Sequence, residues 1–155
     1  MRRTLAEIRA HARAAMERGG HAAIAAETAD RCAWLEAVGY PGLKLLAEAL
    51  GDVQHSAELE RDALGVDLKH VSGVFLASQL DAMTRDQGRL FLRNVRHGLY
   101  LVPASVNGNY AIGCPVDPAF ALGGERSRNP YAEKLEAAAR DGVEVDDGVW
   151  QSLSC

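Results

Sequence analysis

Apolar residues recur every three or four positions through the first fifty residues of the chain, which is the spacing of amphipathic helices. Three such stretches end at the glycines Gly19, Gly39 and Gly51. Thr4, with Glu7 three residues later, forms the capping-box pattern that starts a helix. Pro41 fits the start of the third stretch, because a residue in the first helical turn needs no N–H donor. The pattern predicts three short helices that pack on one another or on a sheet.

The polar stretch 52–65 is compatible with two structures. Asp52 fits the cap of a further helix, and the high polar content fits an exposed connection equally well. After it, residues 65–68 predict a short strand. Ser72 then opens a helix that runs to Gln87.

Strand signals are concentrated in the second half of the chain. The apolar run 90–92 is typical of a strand that is covered on both faces. A second run, 99–102, stops at Pro103, which a central strand does not hold in its interior. Residues 110–112 predict one more short strand. These runs predict a small mixed sheet.

The tail contains one strongly predicted helix. Asn129 is the expected N-cap, Pro130 the first helical residue, and the helix covers residues 131–140. Gly142 ends it, and Asp146 is placed to cap a last helical turn.

Together these elements predict a mixed α/β fold in a single compact domain, with an N-terminal helical layer packed on a small mixed sheet. A shift in composition near Gly65 separates a helical part, residues 1–65, from a mixed part, residues 66–155. Both parts are small enough to share one core.

Composition and charge narrow the classes of function. Hydrophobic residues make up 48% of the chain and charged residues 25%, which are globular values. The formal net charge of −4 argues against a nucleic-acid binder, because neutralising phosphates needs an excess of Lys and Arg. No run approaches the roughly 20 apolar residues of a membrane span, and the start lacks the apolar core of a secretory signal.

The cysteines and histidines point to a reducing compartment without a metal site. The cysteines are odd in number and widely spaced, at Cys32, Cys114 and Cys155. This spacing predicts neither a disulfide framework nor a zinc knuckle. The five histidines show no metal-ligand spacing. We therefore expect a cytoplasmic protein with no metal and no cofactor.

The sharpest candidate for ligand binding is the bend before the tail helix. Arg126, Ser127 and Arg128 follow a glycine pair and lead directly into a predicted helix start. Free N–H groups at a helix start favour an anion, and arginine forks match carboxylate or phosphate. The alternative is an ordinary loop whose arginines pair with nearby acidic residues. The spacing and lysine of a P-loop are absent.

A second candidate is His97, which follows the predicted strand at 90–92. Loops after strands of an α/β sheet commonly hold functional groups. Asn109 and Tyr110 are expected to complete a polar pocket with His97, and the histidine is a candidate acid or base. The alternative is that His97 only caps the end of the strand.

Several segments carry a resemblance to a known family: LAEIRAHARAAMERGG, AAETADRCAWLEAVGYPGLKLLAEAL, CPVDPAF and NPYAEKLEAAARDGVEVDDGVW. Together they resemble a bacterial family of domains of unknown function, most specifically over residues 129–135. The resemblance covers most of the chain. It implies a longer C-terminal segment beyond Trp150 in members of the family, and it implies no activity.

A second likeness is to the NAD(P)-dependent malate/lactate dehydrogenase-like family that lacks a Rossmann fold. It is carried by the first helices and by the order of helix, strand, His-Gly and Asn-rich turn. The Ser-His-Gly element of that family corresponds here to Tyr40-Pro41-Gly42, which contains no histidine. This departure argues against hydride transfer.

The leading functional expectation is a small binding or accessory protein, a homo-oligomer, that holds a small anionic metabolite or a partner protein. Its Ala- and Leu-rich helical surface exceeds what one small sheet covers, which favours self-association. One alternative is an enzyme that acts on a small carboxylate with His97 as acid or base. The other is a structural subunit of a larger complex.

Overall fold

The computed structural model describes residues 1–87, 89–108, 111–114, 120–122 and 131–154. The chain is mixed α/β, as the sequence predicts. The helices are α1 (Leu5–Arg18), α2 (Ala25–Ala37), α3 (Gly42–Leu50), α4 (Gly73–Gln87), α5 (Val102–Gly108), α6 (Ala132–Asp141) and α7 (Asp147–Ser152). The strands are β1 (Arg2–Arg3), β2 (Arg61–Asp62), β3 (Gly65–Asp67), β4 (Arg89–Arg93), β5 (Ala111–Cys114), β6 (Phe120–Leu122) and β7 (Val143–Glu144). Two short 3₁₀ helices cover Ala22–Ile24 and Gly98–Leu101.

The chain divides into two compact units. The helical unit is Met1–Asp52 with Asn129–Cys155, and the sheet unit is Val53–Arg128. The C-terminal helices therefore belong with the N-terminal ones. A single compact domain, with the helical layer packed on the sheet, stays a prediction. Among the described residues, no helix has the length and apolar character needed to cross a membrane.

The helical unit is built on the first three helices, as predicted. Thr4 and Glu7 form the capping box at the start of α1, with both of its hydrogen bonds present. Helix α1 packs on α2 and α3, α2 packs on α3 and α6, and α3 packs on α7. The side chains at the centre of this core have at most 1% exposure: Ile8, Met16, Cys32, Leu35, Leu43 and Leu46.

Two short strands join the ends of the helical unit. Strands β1 and β7 pair antiparallel, with Arg2 opposite Glu144 and Arg3 opposite Val143. Gly142 makes this pairing possible, because its φ is +74° and a Cβ there would lie 2.7 Å from the Arg3 carbonyl oxygen.

The tail prediction is confirmed at Asp146, whose side chain accepts a hydrogen bond from the Val149 N–H at the start of α7.

The start of the tail helix differs from its prediction. Helix α6 begins at Ala132, and Tyr131 occupies the N-cap position without a side-chain cap bond. The Leu135 N–H donates to the Tyr131 carbonyl oxygen at 3.0 Å. The helix predicted over residues 131–140 is confirmed to within one residue at each end. The predicted cap Asn129 and the predicted first helical residue Pro130 lie outside the described part of the chain, and those two assignments stay predictions.

The sheet unit contains five strands in the order β2-β3-β4-β5-β6. Strands β3, β4 and β5 are parallel, and β2 and β6 join their two sides antiparallel. The predicted strands at 65–68, at 90–92 and at the described positions of 110–112 are confirmed. Coverage of 90–92 on both faces is wrong, because Leu92 is buried while Phe91 is 55% exposed.

The predicted strand at 99–102 is also wrong. Residues Gly98–Leu101 form a 3₁₀ helix that continues directly into α5. The Tyr100 N–H donates to the His97 carbonyl oxygen at 3.2 Å, which closes the first turn. Pro103 then lies in the first turn of α5, where no N–H donor is needed. The apolar run is buried in this helical segment, as it would be in a buried strand. An apolar run of this length therefore does not distinguish a helix from a strand.

The polar stretch before the sheet contains no helix. Residues 52–60 form an irregular connection, and Val53 within it is 98% exposed. Of the two structures compatible with the sequence, the structure shows the exposed connection. β2 follows it and pairs with β3, with Arg61 opposite Val66.

Candidate functional site

Two loops lie side by side at the carboxyl edge of the parallel strands β3 and β4. One loop, residues 68–72, connects β3 to α4, and the other, residues 94–97, connects β4 to the 3₁₀ helix. We call them the edge loops. In open α/β sheets ligands bind outside the carboxyl ends of the strands, so this is where a site is expected.

Backbone hydrogen bonds join the edge loops to each other. The Leu68 N–H donates to the Arg93 carbonyl oxygen at 2.9 Å, which extends the pairing of β3 with β4. The His70 N–H donates to the Asn94 carbonyl oxygen at 3.1 Å. These bonds fix the positions of the loop side chains relative to the sheet.

The side chain of Asp67, the last residue of β3, strengthens this connection. Its Oδ1 accepts the Asn94 side-chain amide at 2.8 Å and the Lys69 backbone N–H at 2.8 Å. The bond from the Asn94 amide, followed by that from the Lys69 N–H, lowers the pKa of the Asp67 carboxyl. Asp67 therefore acts as an ionised crosslink between the two edge loops.

The backbone of the edge loops is held in an unusual conformation. Among the described residues, four that are not glycine have a positive φ, and all four are in the edge loops: Lys69 (56°), His70 (62°), Asn94 (55°) and His97 (55°). The left-handed region costs a residue with a side chain about 1–2 kcal/mol. Lys69 and His70 form a tight turn that is closed by a bond from the Val71 N–H to the Leu68 carbonyl oxygen at 3.0 Å.

The side chain of His97 forms a hydrogen bond to the first edge loop. Its Nδ1 lies 2.6 Å from the Ser72 Oγ. Ser72 is fully buried, and its Oγ also accepts the Val74 N–H at 3.1 Å. His97 occupies the N-cap position of the 3₁₀ helix but makes no side-chain cap bond there. The ring therefore connects the two edge loops, and the alternative that His97 only caps the end of the strand stays a prediction.

The start of α4 is closed by its own hydrogen bonds. The Gly73 N–H donates to the Arg96 carbonyl oxygen at 2.7 Å, and the Val74 and Phe75 N–H groups both donate to Ser72. A helix start attracts an anion through free N–H groups. Because these groups have partners inside the protein, they are not available to bind an anion.

The charge at the edge differs from that of the whole chain. Lys69, Arg93 and Arg96 carry three positive charges in and beside the edge loops, against the carboxylate of Asp67. Arg93 Nη2 lies 2.6 Å from Asp62 Oδ2, and Lys69 Nζ donates to the Glu58 carbonyl oxygen at 3.3 Å. Lys69, His70 and Arg96 are exposed. The edge loops themselves contain Lys69 and Arg96 and no acidic residue, in a chain of net charge −4.

The site predicted from the sequence is only partly within the described residues. His97 lies at the carboxyl edge, as expected from its position after a strand. The other predicted ligand-binding residues lie outside the described residues: Asn109, Tyr110, Arg126, Ser127 and Arg128. Whether they join His97 stays a prediction. Sequence reasoning missed Ser72 and Asp67, although each stands at the end of a predicted strand or the start of a predicted helix.

A metal site finds no support within the described ranges, where no group of three or more His, Cys, Asp or Glu side chains is arranged to hold an ion. Comparison of this chain with protein-family models, curated proteins and solved structures finds no match. The two family resemblances of the sequence therefore stay predictions.

Proposed function

We propose that this protein binds a small anionic metabolite at the edge loops of its sheet. The observation that carries the proposal is the set of left-handed residues. Lys69, His70 and His97 keep long polar side chains at positions where glycine would be unstrained. Backbone strain of this kind is concentrated at functional sites, where the surrounding structure maintains it.

The local charge supports an anion as the ligand. Lys69 and Arg96 are exposed on neighbouring loops, and the backbone bonds between the loops limit their separation. Arginine binds carboxylate or phosphate through two parallel hydrogen bonds, and lysine adds a point charge. A small anion with several oxygens fits this set of donors.

The residues predicted from the sequence extend the proposal. Arg126, Ser127 and Arg128 would add donors to the same anion, and Asn109 and Tyr110 would complete the pocket. We also infer a cytoplasmic homo-oligomer, supported by the widely spaced cysteines and by the Ala- and Leu-rich helices. The role of His97 in binding is favoured over a role as a catalytic base by the hydrogen bond between its Nδ1 and the Ser72 hydroxyl.

The test titrates the full chain with inorganic phosphate, citrate, succinate and acetate. Binding is measured by calorimetry and by the shift in Tm. Lys69→Gln and Arg96→Gln are each expected to weaken the best ligand about fivefold, because each removes one charged donor. Arg140→Gln is the matched control, since Arg140 is an exposed arginine in the helical unit. Equal binding by all variants, or no binding by the wild type, contradicts the proposal.

A second comparison tests the predicted bend. Arg126→Ala is combined with Arg96→Gln, and the two single variants are measured beside the double variant. If both arginines bind the same anion, the losses in binding free energy are not additive. An unchanged affinity in Arg126→Ala would place Arg126 outside the site without removing the edge loops from it.

A further inference from the structure

Strand β4 presents an exposed aromatic ring on one face of the sheet. Phe91 is 55% exposed, whereas Leu92, the next residue, is fully buried on the opposite face. On β5 the residue opposite Phe91 is Gly113. On β3 its neighbour is Gly65, where a side chain would collide with the Phe91 backbone. Both neighbours of Phe91 in the sheet are therefore glycines, and neither adds a side chain over the ring.

Polar side chains lie between this ring and the edge loops. Arg93 is two residues beyond Phe91 on the same face, and an ion pair with Asp62 holds its guanidinium. Asp67 is opposite Arg93 on the neighbouring strand. The Oδ1 of Asp67 accepts two hydrogen bonds from the edge loops, and its Oδ2 accepts none from the described residues. The face thus offers, in order, an aromatic ring, a carboxylate oxygen and the basic loops.

The distance along β4 selects the kind of ligand. A strand rises about 3.3 Å per residue, so Asn94 in the second edge loop lies about 10 Å beyond Phe91. A bare phosphate at the loops does not reach the ring, whereas a phosphate joined to a base through a sugar does. We propose that the anion at the edge loops is the phosphate of a nucleotide whose base stacks on Phe91. The inference rests on the proposed function and names the class of its ligand.

Each part of a nucleotide has a matching group on this face. The Phe91 ring provides a stacking surface, which accepts any base because every base has a planar face. Sugar hydroxyls are donors that suit the Oδ2 of Asp67. The ammonium of Lys69 has three donors, and the bond to the Glu58 carbonyl oxygen uses one of them. A single phosphate needs few cations, so this ligand is compatible with a chain of net charge −4.

The experiment is calorimetry of the full chain with three ligands: adenosine 5′-monophosphate, ribose 5-phosphate and adenosine. Ribose 5-phosphate lacks the base, and adenosine lacks the phosphate. The monophosphate is expected to bind at least about tenfold more tightly than either of the other two, because only it reaches both the ring and the loops.

Variants at Phe91 test the stacking directly. Phe91→Ala is expected to weaken the monophosphate about tenfold and to leave ribose 5-phosphate within about twofold of the wild type. Phe91→Tyr keeps a ring and should bind the monophosphate as the wild type does. Val53→Ala, at another exposed apolar position of the sheet unit, is the matched control and should change neither ligand. If Phe91→Ala does not fold, Phe91→Leu replaces it with the same expectation.

The outcomes separate this inference from the proposed function. Equal binding of the monophosphate and ribose 5-phosphate, with no effect of Phe91→Ala, overturns the nucleotide and leaves an anion site at the edge loops. Lys69→Gln is expected to weaken both phosphates about equally. Equal binding of the monophosphate and adenosine, unchanged in Lys69→Gln, would remove the anion and overturn both proposals.

Discussion

The two compact units differ in which residue types occupy left-handed backbone positions. In the described residues of the helical unit, every positive φ belongs to a glycine: Gly20, Gly39 and Gly142. In the sheet unit, Gly65 is joined by the four residues with side chains in the edge loops. Glycine adopts this region without steric cost, whereas each of the other residues loses about 1–2 kcal/mol.

The difference indicates that the two units are under different constraints. The described part of the helical unit has a capping box at Thr4, a side-chain cap at Asp146 and a glycine at each of its left-handed positions. The sheet unit breaks those rules at one edge and holds the strained loops with hydrogen bonds from Asp67 and Ser72. Natural proteins break local rules mainly where function requires particular side chains.

The largest expected effect is the loss of a core side chain in the helical unit. Leu46 is fully buried in α3, and Leu46→Ala is expected to lower the free energy of unfolding by about 2–5 kcal/mol through lost burial and a cavity. Val53→Ala, at a position that is 98% exposed, is the control and should change it by less than about 0.5 kcal/mol. Urea denaturation measures both. A Leu46→Ala protein that is still folded should bind phosphate as the wild type does, and weaker binding would tie the edge loops to the helical core.

The next effect comes from a matched pair of glycines at helix starts. A Cβ on Gly42 would lie 2.7 Å from the Cys32 carbonyl oxygen, and one on Gly73 2.8 Å from the His97 carbonyl oxygen. Each change to alanine is expected to lower the free energy of unfolding by about 1–3 kcal/mol, because a backbone segment must move. Only Gly73→Ala should weaken phosphate binding, since it displaces an edge loop. Equal losses of binding in both variants would remove the distinction between the units.

A smaller effect of opposite sign is expected at His70. His70→Gly relieves the left-handed strain, offset in part by the greater freedom of glycine in the unfolded chain, and should stabilise the protein by about 0.5–1 kcal/mol. The same change should weaken phosphate binding. In the helical unit the reverse change, Gly20→Ala, has open space around its Cβ but a φ of +88°, and should destabilise by about 1 kcal/mol. A His70→Gly protein that is both less stable and unchanged in binding would mean that the turn is structural.

The smallest effects are pH dependences, and they have opposite signs in the two units. Hydrogen bonds from Asn94 and Lys69 hold the pKa of Asp67 below its unfolded value. Its contribution to stability is complete above the unfolded pKa and is lost as the pH falls through the folded pKa. Asp67→Asn is therefore expected to flatten the acid side of a plot of Tm against pH. An unchanged acid slope would show that Asp67 does not crosslink the edge loops.

In the helical unit, the carboxyl of Glu36 has a pKa shift of the opposite direction to that of Asp67. Burial raises the pKa of its carboxyl, although the Leu43 N–H, which donates to Oε1 at 2.9 Å, opposes the shift. The folded state then binds a proton more tightly than the unfolded state, so stability falls as the pH rises from the unfolded pKa through the folded one. Glu36→Gln keeps an acceptor for the Leu43 N–H and should remove this fall. Denaturant titrations from about pH 3 to about pH 7 test both carboxyls.

The elements with strong local signals were predictable. Caps and glycine stops identified α1 to α3, and Asp146 identified the last turn. The run at 99–102 was not, because an apolar stretch of that length fits a buried helix or a strand equally well. At the site, the position of His97 after a strand was predictable, but its partner Ser72 was not. Ser72 and His97 are 25 positions apart in the chain, and the pairing of β3 with β4 brings them together.

The sequence by itself determined the mixed α/β class, the helical layer and the chain positions of its ends, because capping and periodicity act within a few residues of one another. The tertiary structure decided which loops meet, where the backbone is strained and which side chain lies against the Nδ1 of His97. These properties depend on contacts between segments that are distant in the chain. Such contacts form when the strands align, and the sequence pattern carries no local signal for them.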